Sequence, residues 1–307
     1  MLSTISPAGQ QFVNSINDIQ ARLAVAQQQI SSSMRVSQPS DAPDQISPIL
    51  QLHSAIHQNA DIQNGLNTAL TTLKTGESSL SSAIDMLQSA SVTATQATST
   101  NQTAATRATL AQSVQALMEQ MVSNSRTTAG GRYVFSGDLD GAPLYQLNLA
   151  DPTGVDRLQV ASATSLVQGT GGSQYAVSLS GNTIFDPRNA DLTPATGNAF
   201  AALNGLRVAL LANDLAGIAS SIGAIGAAST YMNDRLSFYG QAENRVTADL
   251  SQAQTDKLQL QTELSGKTDA DMTQAITALT EGTTQLQAAL SARARMPHTS
   301  LFDVLPL

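Results

Sequence analysis

The sequence predicts a mainly α-helical fold: an elongated antiparallel helical bundle, or coiled-coil rod, formed by both terminal arms, with a small β-rich domain inserted in the middle. Apolar residues in both arms recur at alternating spacings of three and four, as on one face of a helix. Between positions 136 and 197, glycines and short alternating runs replace that pattern. Aromatic residues make up only 4% of the 307 residues, so we expect thin aliphatic seams rather than a core built on rings.

The N-terminal arm, residues 1–135, begins with a helix that is predicted to pack along a narrow seam. Its apolar residues follow a heptad spacing typical of coiled coils, at Phe12, Ile16, Ile19, Leu23, Ala26 and Ile30. Pro39 and Pro43 interrupt the pattern, because proline lacks an N–H donor and biases the residue before it away from the helix.

Two further helical stretches follow in the N-terminal arm. A second seam runs from Ile49 to Leu87, and a third ends at Gly130-Gly131, a pair that favours helix termination. Between the two seams, residues 89–103 are rich in Ser, Thr, Ala and Gln, and we expect a weak helix or a connection there. A stripe at this spacing is most often the internal seam of a bundle, and we interpret these middle helices in that way.

The middle of the chain, residues 136–197, is predicted to be a β-rich inserted domain. Glycines separate short alternations of apolar and polar residues, such as Leu158–Val160 and Tyr175–Leu179. Runs of this kind, bounded by turn residues, are typical of short strands. About 60 residues are enough for one small sheet domain, so we expect a self-contained sheet.

The C-terminal arm, residues 198–307, repeats the helical plan. Thr268, followed three residues later by Asp271, predicts a capping box at the start of the last helix. That helix carries large apolar residues in a heptad series at Met272, Ile276, Leu279, Leu286 and Leu290. Because one arm leads into the insert and the other returns from it, we expect the two arms to pack antiparallel.

The two terminal helices are predicted to form an assembly surface. Their seams are narrow and flanked by amide side chains rather than by charges. An isolated pair of helices is marginal in water. We therefore expect neighbouring subunits to complete the packing of this pair, and the pair to be loose or unfolded in the free monomer.

Composition excludes several classes of function. The chain has no Cys, which rules out disulfides, zinc fingers and thiol nucleophiles. A net charge of −8 leaves no basic stripe for a nucleic acid. No apolar run reaches the ~18 residues that cross a bilayer, and the first residues lack the charged and apolar regions of a cleaved signal peptide. We expect neither nucleic-acid partners nor membrane insertion.

The sequence predicts no catalytic, metal or cofactor site. His53 and His57 are spaced for one helix face, but Ser54 stands where a zincin has Glu, and no third ligand is evident. The run from Asp138 to Gly141 lacks most ligands of a calcium loop, and we interpret it as a turn. His298 lies among Pro and Arg near the C-terminus and suggests no catalytic triad. We predict a protein that is not an enzyme.

Three stretches of the chain resemble conserved segments of bacterial flagellins and their hook-associated relatives. Residues 30–43 resemble the segment that closes the family's first helix, through Arg35, Pro39, Ser40, Asp41 and Pro43. Residues 131–137 resemble the family's exit from its N-terminal helices, through Gly131, Arg132, Tyr133 and Phe135. Residues 264–272 are similar to its C-terminal hinge, through Asp269 and Asp271. The three stretches follow the family's order along the chain.

The resemblance implies a structural, non-enzymatic subunit of the bacterial flagellum, exported unfolded by the flagellar type III apparatus to the outside of the cell. The chain's ending is similar to that of the family member that joins the hook to the filament, through Ser300, Leu301, Phe302, Asp303 and Leu305. Two positions depart from the family pattern. Ser33 stands where the family usually has Gly, and Asp44 follows Pro43 where a small residue is common.

The resemblance also implies partners. They are other copies of the chain in a ring or helical assembly, a neighbouring hook-associated protein and flagellin, and an export chaperone bound at the C-terminal arm. A flagellin subunit that polymerises into the filament is the alternative within the family. From a different class of protein, an intracellular coiled-coil protein is a remote alternative.

Overall fold

The structure is a computed structural model that describes residues 7–161 and 164–295. It divides into two compact units. The terminal unit comprises the described residues of Met1–His57 and Lys257–Leu307, and the central unit comprises those of Gln58–Asp256. Each unit combines residues of both arms. The fold is mainly helical with short strands in the middle, which confirms the predicted fold class.

The terminal unit contains an antiparallel pair of helices. Helix α1 (Pro7–Ser32) packs along α7 (Met272–Ala294). Leu23 of α1 lies against Gly282 in the middle of α7. Just before α7, the N–H of Ala270 donates to the carbonyl of Ser33, which lies just after α1. The end of one helix therefore lies beside the start of the other.

The central unit is built mainly on four helices. Their bounds are α2 (Ile46–Ala97), α3 (Ala104–Ser125), α5 (Ala199–Leu211) and α6 (Leu215–Thr268). Helices α2 and α6 contribute residues to both units. Within the central unit they run antiparallel, since the side chain of Gln63 donates to the carbonyl of Ala253 while Gly76 lies against Tyr239.

Helix α2 extends further than the sequence predicts. Its last turns bury Ala90, Ala94 and Ala97, each fully shielded from solvent, and these alanines continue the spacing of the leucine seam before them. Alanine is the best helix former, and its small side chain allows a close helix contact. The stretch at 89–103, expected to be a weak helix or a connection, is therefore helix up to Ala97, where buried alanines form the seam, and a connection from there to α3.

The strands form three separate two-stranded hairpins rather than one sheet. Their bounds, in chain order, are β1 (Thr128–Ala129), β2 (Arg132–Tyr133), β3 (Tyr145–Leu147), β4 (Val155–Arg157), β5 (Leu166–Gln168) and β6 (Gln174–Ala176). Each odd-numbered strand pairs antiparallel with the next one. A single helical turn, α4 (Gly181–Ile184), follows the last hairpin. The predicted self-contained sheet is not present in the described residues.

The hairpins instead share one core with the helices. The rings of Phe135 and Phe185 are fully buried and meet edge-to-face with centroids 5.2 Å apart. Phe200 of α5 lies 5.0 Å from the ring of Tyr145 in β3. These rings belong to the same apolar cluster as the buried leucines of α2. Short strands without a second sheet layer are stabilised here by packing on helices.

Helix α6 is long and apolar enough to cross a membrane by length and composition alone. An 18-residue window in it has a mean hydropathy of 1.3, and 28% of that window is buried. Its large residues Ile218 and Ile225 are almost fully shielded within the central core. We attribute the apolar character of this stretch to that packing together with many Ala and Gly residues.

One contact between α2 and α6 gives a direct test of the central core. A Cβ atom added at Gly76 would lie 2.5 Å from Cε1 of Tyr239, whose ring is fully buried. We expect Gly76→Ala to lower the free energy of unfolding by about 1–2 kcal/mol, because an overpacked ring must shift. Urea denaturation of the purified chain measures this difference.

Gly240→Ala is the matched control for that substitution. Gly240 also lies inside a helix, but a Cβ atom there meets nothing within 4 Å. The alanine should raise the free energy of unfolding by up to about 1 kcal/mol through its better helix propensity. Effects of the same sign in the two variants would contradict the packing described here.

Candidate assembly surface

The α1 half of the predicted seam lies against α7. Ile19 and Leu23 are buried, with exposed fractions of 8% and 9%. Phe12, Ile16 and Ile30 are half-buried on the same stripe. Within one chain, therefore, α1 directs its predicted seam at a single partner helix.

On α7 the buried stripe lies beside the predicted one. Ala275 and Gly282 are its buried residues, and Leu279 and Leu286 are half-buried in the same heptad series. A Cβ atom added at Gly282 would lie 2.8 Å from Cδ2 of Leu23, so the two helices approach closely there. Met272, Ile276 and Leu290 of the predicted assembly seam are not buried in this contact within the chain, and their coverage by neighbouring subunits stays a prediction. Ala275 and Gly282 have too little apolar surface to stand out in a hydrophobic pattern. Their heptad register with Leu279 is the one sequence feature that indicates them.

Large apolar side chains of α7 therefore remain exposed. The exposed fractions are 37% for Met272, 53% for Ile276 and 53% for Leu290. Met272, Ile276 and Leu290 lie on one side of the helix, adjacent to the inner seam, and we call them the outer stripe. Val13 and Val25 of α1 are similarly exposed, at 46% and 53%, and the sequence analysis did not single them out.

A tight corner connects the end of α1 to the end of α6. Ser33 has a φ of 59°, a left-handed conformation that favours glycine. The N–H of Arg35 donates to the carbonyl of Thr268 at 2.7 Å, and its guanidinium donates to the carbonyl of Lys267 at 2.8 Å. The N–H of Ala270 in turn donates to the carbonyl of Ser33 at 3.0 Å. Arg35 of the family motif thus fastens this corner through backbone groups.

Asp41 organises the loop that follows this corner. Its Oδ2 accepts hydrogen bonds from the N–H groups of Gln38 at 2.8 Å and Ser37 at 2.9 Å. These backbone donors, that of Gln38 first, hold the pKa of the carboxyl below its ordinary value because they stabilise the charged form. The other motif residues of the loop are exposed, namely Pro39, Ser40 and Pro43. They shape the chain rather than line a pocket.

The predicted hinge connects α6 to α7. Asp271 is the N-cap of α7, and its carboxylate accepts from the N–H groups of Thr273 at 2.9 Å and Gln274 at 3.1 Å. The predicted capping box is wrong, because Thr268 belongs to the last turn of α6. Asp271 alone accepts from N–H groups of the first turn of α7, which have no acceptor within the helix, so no second cap residue is required. Asp269, between them, accepts from a serine hydroxyl of α6.

The remaining motif residues lie in the central unit or outside the described part of the chain. Gly131, with a φ of 80°, forms the turn between β1 and β2. Arg132 pairs with Asp140 at 2.8 Å on the surface, Tyr133 is half-buried, and Phe135 is part of the central core. The C-terminal motif is not described by the structure; it comprises Ser300, Leu301, Phe302, Asp303 and Leu305.

The structure locates the His residues and the calcium-loop-like run that the sequence analysis considered as candidate sites. Between 7 and 161 and between 164 and 295, no three His, Asp or Glu side chains gather to hold a metal ion. His53 and His57 are exposed. Gly137–Leu139 form a single 3₁₀ turn, in agreement with the interpretation of that run as a turn. The terminal unit does expose apolar side chains that another molecule can cover.

Comparison with known proteins places these features in a family. Among curated proteins, the chain is similar to flagellar hook-associated protein 3 of Salmonella typhimurium, at 26% identity over 186 residues that make up 59% of each chain. It is similar to the protein of that name from Escherichia coli K12, at 27% identity over 205 residues, 66% of this chain and 64% of the relative. Both alignments span less than two thirds of the relative's length.

A solved structure and two family models agree with these relatives. The crystal structure of Xanthomonas campestris FlgL shares the fold with a TM-score of 0.58 and 17% identity, over 70% of this chain and 99% of that one. The model of the bacterial flagellin N-terminal helical region matches residues 6–139, and that of the C-terminal helical region matches residues 222–305. Since the two models together cover well over half of the sequence, the chain belongs to the bacterial flagellin family.

Proposed function

We propose that this chain is a structural subunit of the bacterial flagellum that joins the hook to the filament. The observation that supports this most directly is the similarity to two proteins that are both named flagellar hook-associated protein 3. In this role the protein acts by packing against its neighbours and carries out no reaction.

The α1–α7 pair is, in this proposal, the part that other subunits complete. About half of the Ile276 and Leu290 side chains reach solvent on α7, and Val25 does so on α1. Covering such side chains stabilises an assembly by about 25 cal/mol for each Å² of apolar surface removed from water. The predicted assembly seam then consists of an inner part that is closed within the chain and an outer stripe that a neighbouring copy covers.

The same proposal assigns the chain its location and its other partners. The subunit is exported unfolded, without a cleaved signal peptide, and lies outside the cell in the flagellum. It packs in a ring or helical assembly with other copies, next to another hook-associated protein and flagellin. An export chaperone binds the C-terminal arm before secretion. A pair of helices that buries only one face of each opens at low cost, which suits transport in an unfolded state.

A flagellin subunit that builds the filament is the second candidate, since the family models describe flagellin itself. The two candidates differ in how far assembly proceeds. A junction subunit presents its outer end to a different protein, whereas a filament subunit presents it to another copy.

Seeded assembly distinguishes the two candidates. We expect the purified chain, added to hook or filament fragments, to form a short layer and then stop, because its next neighbour is a different protein. Electron microscopy of the fragments measures the added length. Continued growth into long filaments would overturn the junction role in favour of flagellin.

A substitution that introduces one charge tests whether the outer stripe is an assembly surface. We expect Leu290→Asp to abolish addition to the fragments, because it would place an unpaired carboxylate in an apolar contact. Leu290 is 53% exposed in the monomer, so the melting temperature should stay within about 2 °C of the parent chain. Electron microscopy and circular dichroism measure the two effects.

Val92→Asp is the matched control for the outer stripe. Val92 is 68% exposed on α2 within the central unit, so the new charge is equally hydrated in the monomer. This variant should add to the fragments like the parent chain. Equal addition by the Leu290 and Val92 variants would show that the outer stripe is not an assembly surface.

A further inference from the structure

The central unit contains a groove that the assembly proposal does not use. It has a volume of about 590 Å³ and is lined by β4, β5 and the segment around α4. Arg157 and Arg188 lie at its bottom, with side chains only 16% and 21% exposed. Large apolar side chains border it, with exposed fractions of 63% for Val160, 59% for Leu166 and 70% for Leu192. Charged side chains surrounded by apolar ones suit a ligand that carries both a charge and apolar groups.

The two arginines share a single carboxylate. Asp186 is fully buried, and its Oδ2 accepts from Nε of Arg157 at 2.9 Å and from Nη2 at 2.7 Å. Nε of Arg188 lies 3.1 Å from each carboxylate oxygen, and the side-chain amide of Asn198 donates to Oδ1 at 2.6 Å. No other charged side chain of the described residues lines the groove. The cluster therefore carries a net positive charge.

Several hydrogen-bond donors of this cluster remain unused. A guanidinium has five N–H donors and no acceptor, and both terminal nitrogens of Arg188 are without a hydrogen-bond partner among the described residues. Asn182, which also lines the groove, accepts from the hydroxyl of Tyr145 at 3.0 Å, and this leaves its buried Nδ2 unpaired. The groove has an excess of donors and a deficit of acceptors. A carboxylate supplies both the missing charge and the missing acceptors.

Leu192 at the border has an unusual backbone conformation. Its φ is 65°, in the left-handed region that large apolar residues rarely adopt. The turn itself holds this conformation, since the N–H of Leu192 donates to the carbonyl of Asn189 at 3.0 Å and the N–H of Asn189 donates to the carbonyl of Thr193 at 2.9 Å. The side chain is 70% exposed. The turn therefore presents the Leu192 side chain to solvent at the border of the groove, where an apolar group of a ligand can cover it.

We propose that this groove binds an acidic peptide segment of a partner protein. One Asp or Glu carboxylate of the segment accepts hydrogen bonds from the terminal nitrogens of Arg188, next to the positive charge of Arg157. Apolar side chains next to that carboxylate cover Val160, Leu166 and Leu192. The charge selects the segment, and the apolar border distinguishes it from a free anion, which would use the arginines alone.

Two short peptides test the charge and the border together. The probes are N-acetyl-Leu-Asp-Leu-amide, its Asn analogue N-acetyl-Leu-Asn-Leu-amide, and sodium acetate, each titrated into the full ¹⁵N-labelled chain. We expect the Asp peptide to bind at least about fivefold more tightly than the Asn peptide, because only the former forms charge-assisted hydrogen bonds. It should also bind more tightly than acetate. Equal affinity of the two peptides, or acetate that binds as tightly as the Asp peptide, would overturn the proposal.

Substitutions locate the binding in this groove. Arg188→Gln should weaken binding of the Asp peptide about fivefold or more, while Asp186 keeps its hydrogen bonds to Arg157 and Asn198. Arg132→Gln is the matched control: Arg132 is a surface arginine, 76% exposed, that also pairs with one aspartate, and its loss should leave the affinity unchanged. Unchanged affinity in the Arg188 variant would contradict the assignment.

A second variant keeps the test decisive if Arg188→Gln does not fold. Leu192→Asn removes the apolar side chain, and asparagine tolerates a positive φ, so the fold should be retained. We expect weaker binding of both peptides and unchanged binding of acetate. Peptide affinity equal to that of the parent chain would refute the role of the border. Reversible self-association of the unmodified chain that Arg188→Gln abolishes would make a second copy the occupant and overturn the assignment to a partner protein.

Discussion

Two helices packed on each other can bury only one face of each, and this constraint governs the terminal unit. Helices α1 and α7 meet along Ala26, Ala275 and Gly282, whose small side chains let the backbones approach closely. Ile19 and Leu23 of α1 are buried in this contact, and Gly282 leaves room for Leu23. Ile276 and Leu290 lie beside it, each 53% exposed, so that only a further surface would bury them.

The central unit, in contrast, buries the apolar faces of its helices within one chain. Leu66, Leu73, Leu80 and Leu87 form a fully buried stripe on α2, and the helices and hairpins around it close the core. Most of the chain's aromatic side chains are concentrated there, including Phe135, Phe185, Phe200 and Tyr145. In the proposed role, the central unit would hold the shape of the subunit, and the terminal pair would be available to its neighbours.

The sequence predicts the helices well because large aliphatic residues at spacings of three and four identify a buried face. It predicts the inner seam of α7 poorly, because Ala275 and Gly282, the buried residues there, carry little or no apolar side chain to mark a buried face. The same applies to Ala94 and Ala97 at the end of α2. The hairpins depend on contacts with helices that are distant in sequence, and no local pattern contains that information. The groove around Asp186 could not be predicted either, because it joins residues that a strand, a loop and a helical turn bring together.

Hydrogen exchange of the purified monomer tests most directly whether the terminal pair depends on its neighbours. The account predicts weak protection of the amides at 10–30 and 272–292, and strong protection along the buried faces of α2 and α3 in the central unit. After addition to hook or filament fragments, protection at 10–30 and 272–292 should rise to the level of the central core. Strong protection of both stretches in the free monomer would show that α1 and α7 form an ordinary core by themselves, and would contradict the account.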